Sequence, residues 1–274
     1  MSDNPLKAYF RRPEVYTQLP GGGAFWPEGT IEIPVSGELA VYPMTAADEI
    51  GLRTPDALMN GHATVSLLES CIPSIKDAWQ TPLCDIDALL IASRIASVGP
   101  DLELSTKCPN CDHTNEFVVD LRTRLDLIQP GDWKEPVDIR GLTFHFKPLT
   151  FKQSNDLNNR IYGAQRTLQQ ITGIEDEDQK EQVNKSVLDD VASINADTLI
   201  LSIESIEVDG NVVRDTEHIR EFVANTDHKL SAVIKKTFED LQKSTKAEDV
   251  HLECEECSYK FKVPFSLDYG SFFV

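Results

Sequence analysis

Four of the six cysteines fall into two pairs with a two-residue spacer, Cys108-Pro109-Asn110-Cys111 and Cys254-Glu255-Glu256-Cys257. Such a spacer lets both sulfurs of one turn point at a single ion, and a second turn completes a tetrahedral sphere of the kind zinc adopts. Cys108, Cys111, Cys254 and Cys257 are therefore expected to form one metal site, with Zn2+ as the ion; sulfur ligands alone would also accept iron. Four thiolates leave no position open for water, so the metal should be structural, not catalytic. Roughly 140 residues separate the pairs, whereas a self-contained zinc ribbon spaces them by about 15 to 20. An ion bridging so long a loop removes conformational freedom from the unfolded chain.

Other thiol chemistry fits less well. Disulfides are disfavoured in a reducing cytosol. A thioredoxin-like pair opens a helix, but the flanks here, Leu102-Glu103-Leu104, Phe117-Val118-Val119, Val250-His251-Leu252 and Phe261-Lys262-Val263, are strand-like. His113 and His251 lie close by but are expected to stay outside the ligand set, because four sulfurs already satisfy the ion. His251-Leu252-Glu253 beside Cys254 has the look of a zinc deaminase motif, yet the two parts abut and no proline precedes the cysteine pair. Gly21-Gly22-Gly23 runs into Ala24 and Phe25 without the Lys-Ser/Thr of a phosphate loop. No catalytic constellation emerges, and the chain is not expected to be an enzyme. Cys71 and Cys84 sit among apolar neighbours as inert buried thiols, and Trp79 and Trp133 as local core pins.

The background composition narrows the partners. Among 274 residues, 26 Lys and Arg face 45 Asp and Glu, for a net charge of −19. Such a charge repels nucleic-acid phosphates, and Lys107, Lys260 and Lys262 are too few to reverse it near the cysteine pairs. The 41% apolar and 26% charged residues describe an ordinary globular chain of one or two domains. No apolar run reaches the roughly 18 residues of a membrane span, and Met1 to Pro5 do not resemble a signal peptide. The protein is expected to stay where it is made.

The elements that must carry the cysteines are stated twice. Ile31–Val35 and Leu39–Tyr42 alternate around Ser36-Gly37, which predicts a hairpin leading into Pro43-Met44-Thr45. Val137–Phe146 likewise leads into Pro148-Leu149-Thr150. In both places a Thr precedes a helix, with Asp48 or Gln153 three residues on to form a capping box. A buried helix running into a strand follows in each, Asp87–Val98 and Asp197–Val208, and each half ends in a cysteine pair. The second half adds an acidic stretch (Glu175, Asp176, Glu177, Asp178, Glu181), read as a solvated loop, and a helix over 227–243 with one apolar face (Leu230, Val233, Ile234, Phe238, Leu241). Asp209-Gly210-Asn211 marks a hairpin turn. The expected fold is α+β: residues 1–30 form an extended docking arm, 31–136 a first repeat with the first knuckle, and 137–274 a divergent second repeat with the second. A composite four-cysteine zinc ribbon joins the repeats.

Several segments together resemble the T4-like bacteriophage baseplate hub assembly and hub subunit family. They are Leu19-Pro20-Gly21-Gly22-Gly23-Ala24-Phe25, the strands ending Pro43-Met44-Thr45, Ala96-Ser97-Val98-Gly99 before Cys108-Pro109-Asn110-Cys111, and the closing aromatics. The resemblance implies a protein without enzymatic activity that helps build the central hub, as a chaperone or a retained subunit. It would act in the host cytoplasm during assembly and stay in the virion tail if retained. Its partners would be other baseplate and hub proteins, not nucleic acid, membrane or small-molecule substrates. Large aromatics at both ends suit such docking, and Tyr9, Phe10, Tyr16, Phe25, Trp26, Tyr269, Phe272 and Phe273 are the expected contacts. The alternatives are a zinc-ribbon protein that binds nucleic acid or modifies transcription, and a metalloenzyme with an exchangeable ligand.

Overall fold

In the computed structural model, which describes residues 4–54, 60–129, 131–171, 176–245, 249–263, 265 and 272–273, the chain divides into two units. Unit 1 combines Met1–Pro130 with Thr245–Val274, and unit 2 is Gly131–Ser244. This division by packing cuts the chain at different places from the division by repeated pattern.

After a short 3-10 turn over Pro5–Tyr9, unit 1 forms a strand that the alternation pattern did not anticipate. β1 (Val15–Gln18) pairs antiparallel with β2 (Glu38–Val41), Val15 opposite Val41. The hairpin expected between 31–35 and 39–42 does not form, and Ile31 makes an isolated bridge to Ile75 instead. Pro34 has no N–H to give a ladder, and its carbonyl is turned to accept from Gly37 N at 2.9 Å. Residues 11–26 are consequently tied into unit 1 at several points. Arg11 donates to Pro43 O at 2.9 Å and Ser70 O at 2.8 Å, Glu14 N donates to Val41 O, and the loop after β1 is pinned by Asp85. That buried carboxylate accepts from Gly21 N at 2.6 Å and Trp26 Nε1 at 2.8 Å.

Among the described residues the α-helices of unit 1 are α1 (Ala46–Leu52), α2 (His62–Cys71), α3 (Leu83–Ser97) and α4 (Leu121–Leu127). Thr45 caps α1 through a reciprocal box: Asp48 N donates to Thr45 Oγ1 at 3.3 Å, and Thr45 N donates to Asp48 Oδ2 at 2.7 Å. Nearly every residue of α3 from Cys84 to Arg94 is buried, which marks a helix at the centre of a core and not on its surface. Leu39 and Val41 of β2 and Leu67 and Leu68 of α2 are buried in the same unit. β3 (Asp101–Lys107) and β4 (Thr114–Asp120) form a long hairpin with Leu102 opposite Val119.

Unit 2 is built on a four-stranded antiparallel sheet in the order β5-β6-β7-β8, formed by Val137–Ile139, Leu142–Phe146, Ile203–Val208 and Asn211–Val213. The β7–β8 turn uses Asp209 and Gly210, both at positive φ (49° and 78°), as the Asp-Gly signal requires. Between β6 and β7 the chain runs out and back through α5 (Phe151–Ile171) and α6 (Glu177–Ser202). Thr150 caps α5 as Thr45 caps α1: Gln153 N donates to its Oγ1 at 3.2 Å, and its own N donates to Gln153 Oε1 at 2.9 Å. The acidic stretch is not a loop past Asp176, whose carboxylate caps α6 by accepting from Asp178 N at 3.0 Å. Acidic residues suit that position because the helix N-terminus carries partial positive charge; Glu175 lies outside the described residues. α7 (Thr216–Asn225) and α8 (His228–Ser244) complete the unit. α8 buries Leu230, Ile234 and Phe238, and Trp133 packs edge-on to Phe238 with ring centroids 5.9 Å apart. Val233, expected on the buried face, is exposed.

The chain then returns to unit 1 as a short hairpin, β9 (Val250–Glu253) with β10 (Lys260–Val263), Leu252 opposite Phe261. Phe272 and Phe273 are buried. Arg94, itself buried near the end of α3, donates from Nε to Phe272 O at 2.7 Å and from Nη1 to Gly99 O at 2.9 Å. Among the described residues no helix is long and apolar enough to cross a membrane. The architecture is a mixed α/β one.

Candidate metal centre

Each cysteine pair occupies the turn of its own hairpin, and the two turns are built alike. In the first, Cys108 N donates to His113 O at 2.8 Å and Asp112 N to Cys108 O at 3.0 Å. In the second, Cys254 N donates to Tyr259 O and Ser258 N to Cys254 O, both at 2.9 Å. The residue four places after the first cysteine is left-handed in both turns, Asp112 at φ 58° and Ser258 at φ 55°. This reversal brings the second cysteine of each pair round beside the first.

All four sulfurs converge. Cys108 Sγ and Cys257 Sγ lie 3.7 Å apart, Cys111 Sγ and Cys254 Sγ 3.6 Å apart, and the four atoms are all within 4.8 Å of one another. A disulfide would need about 2.05 Å. A tetrahedron with metal–sulfur bonds of about 2.3 Å has edges near 3.8 Å, so the sulfur spacing fits one ion held by two residues from each hairpin. All four ligands belong to unit 1, with the whole of unit 2 lying between the pairs in sequence.

The electrostatics are those of thiols competing for one negative space. Burial raises the Cys254 thiol, but N–H groups of Cys257 and Glu256 and the neighbouring thiols of Cys111 and Cys257 outweigh it and bring the group down to about 6. The Asn110 amide and the Tyr259 N–H lower Cys257. Cys111 goes the other way. The His113 N–H favours its thiolate, yet Cys257, desolvation, Cys254 and Cys108 together push it up to about 12. A divalent cation would relieve that competition by deprotonating all four.

Two asparagines that the cysteine spacing does not single out support the cluster. Asn110 donates from its backbone N to Cys108 Sγ at 3.4 Å and from its side chain to Cys257 Sγ at 3.6 Å. Buried Asn115 on β4 accepts from Glu255 N at 3.0 Å and donates to His113 O at 3.2 Å, so it ties the second turn to the first hairpin. Asparagine is poorly suited to strands, and one at an inward position of β4 was the available signal. The imidazoles of His113 and His251 are not in the cluster. Cys71 and Cys84 are buried elsewhere in unit 1. Burial pushes Cys71 up to about 12 and raises Cys84 further, as inert thiols require.

The aromatic residues expected to grip partners fall into three groups. Tyr9, Phe10 and Tyr16 are exposed. Phe25 is half-buried. Trp26, Phe272 and Phe273 are buried in the chain's own core, where Asp85 holds Trp26, Arg94 holds Phe272 and Phe273 packs edge-on to Phe272, so in this conformation they present no surface to a partner. Tyr269 lies outside the described residues.

A family model described as T4 bacteriophage base plate protein matches residues 27–274. No curated protein and no solved structure matches the chain.

Proposed function

The chain belongs to the T4 bacteriophage base plate protein family, and on that premise we propose that it is a non-enzymatic protein of the baseplate hub, acting in hub assembly as a chaperone or a retained subunit. The single observation that carries this reading is the family match over nearly the whole chain. Membership implies contact with other phage proteins and a place in the virion tail. The four converging sulfurs would hold one structural Zn2+, a composite zinc ribbon whose task is to fasten β9–β10 to β3–β4. The like-built turns support descent of residues 31–136 and 137–274 from one duplicated unit.

Partner contact is assigned to the exposed aromatics Tyr9, Phe10 and Tyr16, with half-buried Phe25 at the margin. Large aromatic side chains bury much area at low entropic cost. The test is co-expression with hub subunits followed by affinity capture. Serine at positions 9, 10 and 16 together should lower capture severalfold while the circular dichroism spectrum is kept. Capture at the native level would remove these residues from the interface. Mass spectrometry of purified virions separates the retained subunit from the transient chaperone. A nucleic-acid role finds no support in the charge around the hairpins. Glu103 and Glu116 are exposed on β3–β4, and Lys260 is engaged with Glu253 at 3.6 Å.

A further inference from the structure

Away from the termini and the sulfurs, the out-and-back pair α5 and α6 carries an apolar strip that unit 2 does not cover. On α5, Leu157 and Ala164 are buried against the partner helix, and Ile161 and Leu168 continue the same stripe at steps of three or four residues. Ile161 nevertheless remains 37% exposed and Leu168 44%. On α6, Val187 and Ile194 are buried and Val191 lies on their stripe, yet Val191 is 41% exposed and Leu188, one turn before it, 69%.

One side of the helix pair is closed. Arg160 crosses it to Asp197 at 2.7 Å and to Ser193 Oγ at 3.1 Å. Ile161 sits about 100° round α5 from Arg160, and Leu188 about 140° round α6 from Ser193, which directs both to the opposite side. There Ile161 and Leu168 of α5 and Leu188 and Val191 of α6 leave an exposed apolar strip. The α6 rim on the Leu188 side carries Asp178, Glu181 and Asp189 against Lys185, all exposed. The α5 rim beside Ile161 is uncharged, with Asn158, Gln165 and exposed Tyr162.

We propose that this apolar strip along α5 and α6 receives an amphipathic α-helix of another protein, apolar on one face and rich in Lys or Arg along the flank that meets the α6 rim. Two antiparallel helices with an open seam are completed by a third that lays apolar residues at steps of three, four and seven into it. The acidic rim sets the sign of the partner's flank. It also argues against a second copy of this chain, which would bring the same rim and a net charge of −19 against its own kind.

The test uses the full chain and a fluorescein-labelled peptide of Leu and Lys, about five turns long, with Leu at amphipathic helical spacing. A scrambled peptide of the same composition and a Leu–Glu peptide of the same spacing serve as controls. Anisotropy titration should show the helical Leu–Lys peptide binding at least about tenfold tighter than either control. The double variant L168S/L188S should lose about tenfold in that affinity, while V118S, an exposed valine of unit 1, should lose none. All three proteins should show the same circular dichroism and melting point. Equal binding of the scrambled peptide would reduce the effect to charge alone and overturn the proposal, as would native affinity in L168S/L188S. A dimer in sedimentation that L188S dissociates would make a second copy the occupant and overturn it equally.

Discussion

Unit 1 and unit 2 reach stability by different routes. Unit 2 is one continuous stretch, Gly131–Ser244, whose strands mostly pair with sequence neighbours and whose core of Phe144, Phe146, Ile206 and Ile234 contains no cysteine. Unit 1 is sewn from two stretches, holds all six cysteines, and depends on contacts between residues far apart in sequence. These are Cys108 with Cys257, Asn115 with Glu255, and Arg94 with Phe272. The returning hairpin β9–β10 has strands of only four residues and buries a single strand side chain, Val250. A hairpin that small is marginal alone, so its place must come from what ties it to β3–β4. A fastening that strong is needed where loop closure is costly, and unit 2 has no such need.

The largest effect expected from this contrast is on removal of the proposed zinc. C254S, or a strong chelator, should destabilise unit 1 by about 5 kcal/mol or more, given the roughly 10–16 kcal/mol that structural zinc contributes in small domains. Unit 2 should be left unchanged. Hydrogen exchange should show β9–β10 losing protection while β5–β8 keep theirs. Equal loss in both units would break the distinction. Next, F144A removes a fully buried ring from unit 2 and should cost about 3 to 5 kcal/mol, with metal content by elemental analysis still one ion per chain. N115A should be milder, about 1 to 2 kcal/mol from unit 1, because Glu255 N is left without its acceptor while the four sulfurs stay in place.

The smallest effect is one of pH, and it has opposite sign in the two units. Burial raises Asp85 above its ordinary 3.8, despite the N–H groups of Gly21 and Trp26 that favour its charge. Folded unit 1 therefore holds that proton more tightly than the unfolded chain, and the contribution of Asp85 declines as pH climbs from 3.8 through the raised value. At Asp197 burial works against the charge, but Arg160 and Arg220 prevail and lower it below 3.8. Its contribution is complete above 3.8 and is lost as pH falls through the lowered value. Both arginines are nearly half exposed, so under about 1 kcal/mol is expected. D197N should flatten the acid side of the unit 2 melting profile and leave unit 1 untouched.

The local features of the fold could be read from the chain, and the distant ones could not. Both capping boxes, the Asp209-Gly210 turn and the buried positions Leu230, Ile234 and Phe238 follow from chemistry within a few residues, and all form. The four sulfurs were legible because ligand type and spacing carry the chemistry wherever the strands run. The pairing of β1 with β2 was hidden, because Ser36-Gly37 offers a turn nearby and nothing local announces that Pro34 spoils its ladder. Trp26, Phe272 and Phe273 looked like free aromatics because their anchors, Asp85 and Arg94, lie 59 and 178 residues away. Charged residues buried in α3 were the missed clue, since an apolar helix carries such groups inside only when something distant pairs with them.

The separation of the two cysteine pairs also imposes an order on synthesis. Cys111 leaves the ribosome 143 residues before Cys254, and Cys108 just ahead of it, a delay on the order of 10 s at ordinary elongation rates of about 5–20 residues per second. The intervening unit emerges entire during that wait and is free to fold first. The early thiols meanwhile stand as a half-filled clasp, open to any oxidant or competing ion in the cell until their counterparts arrive.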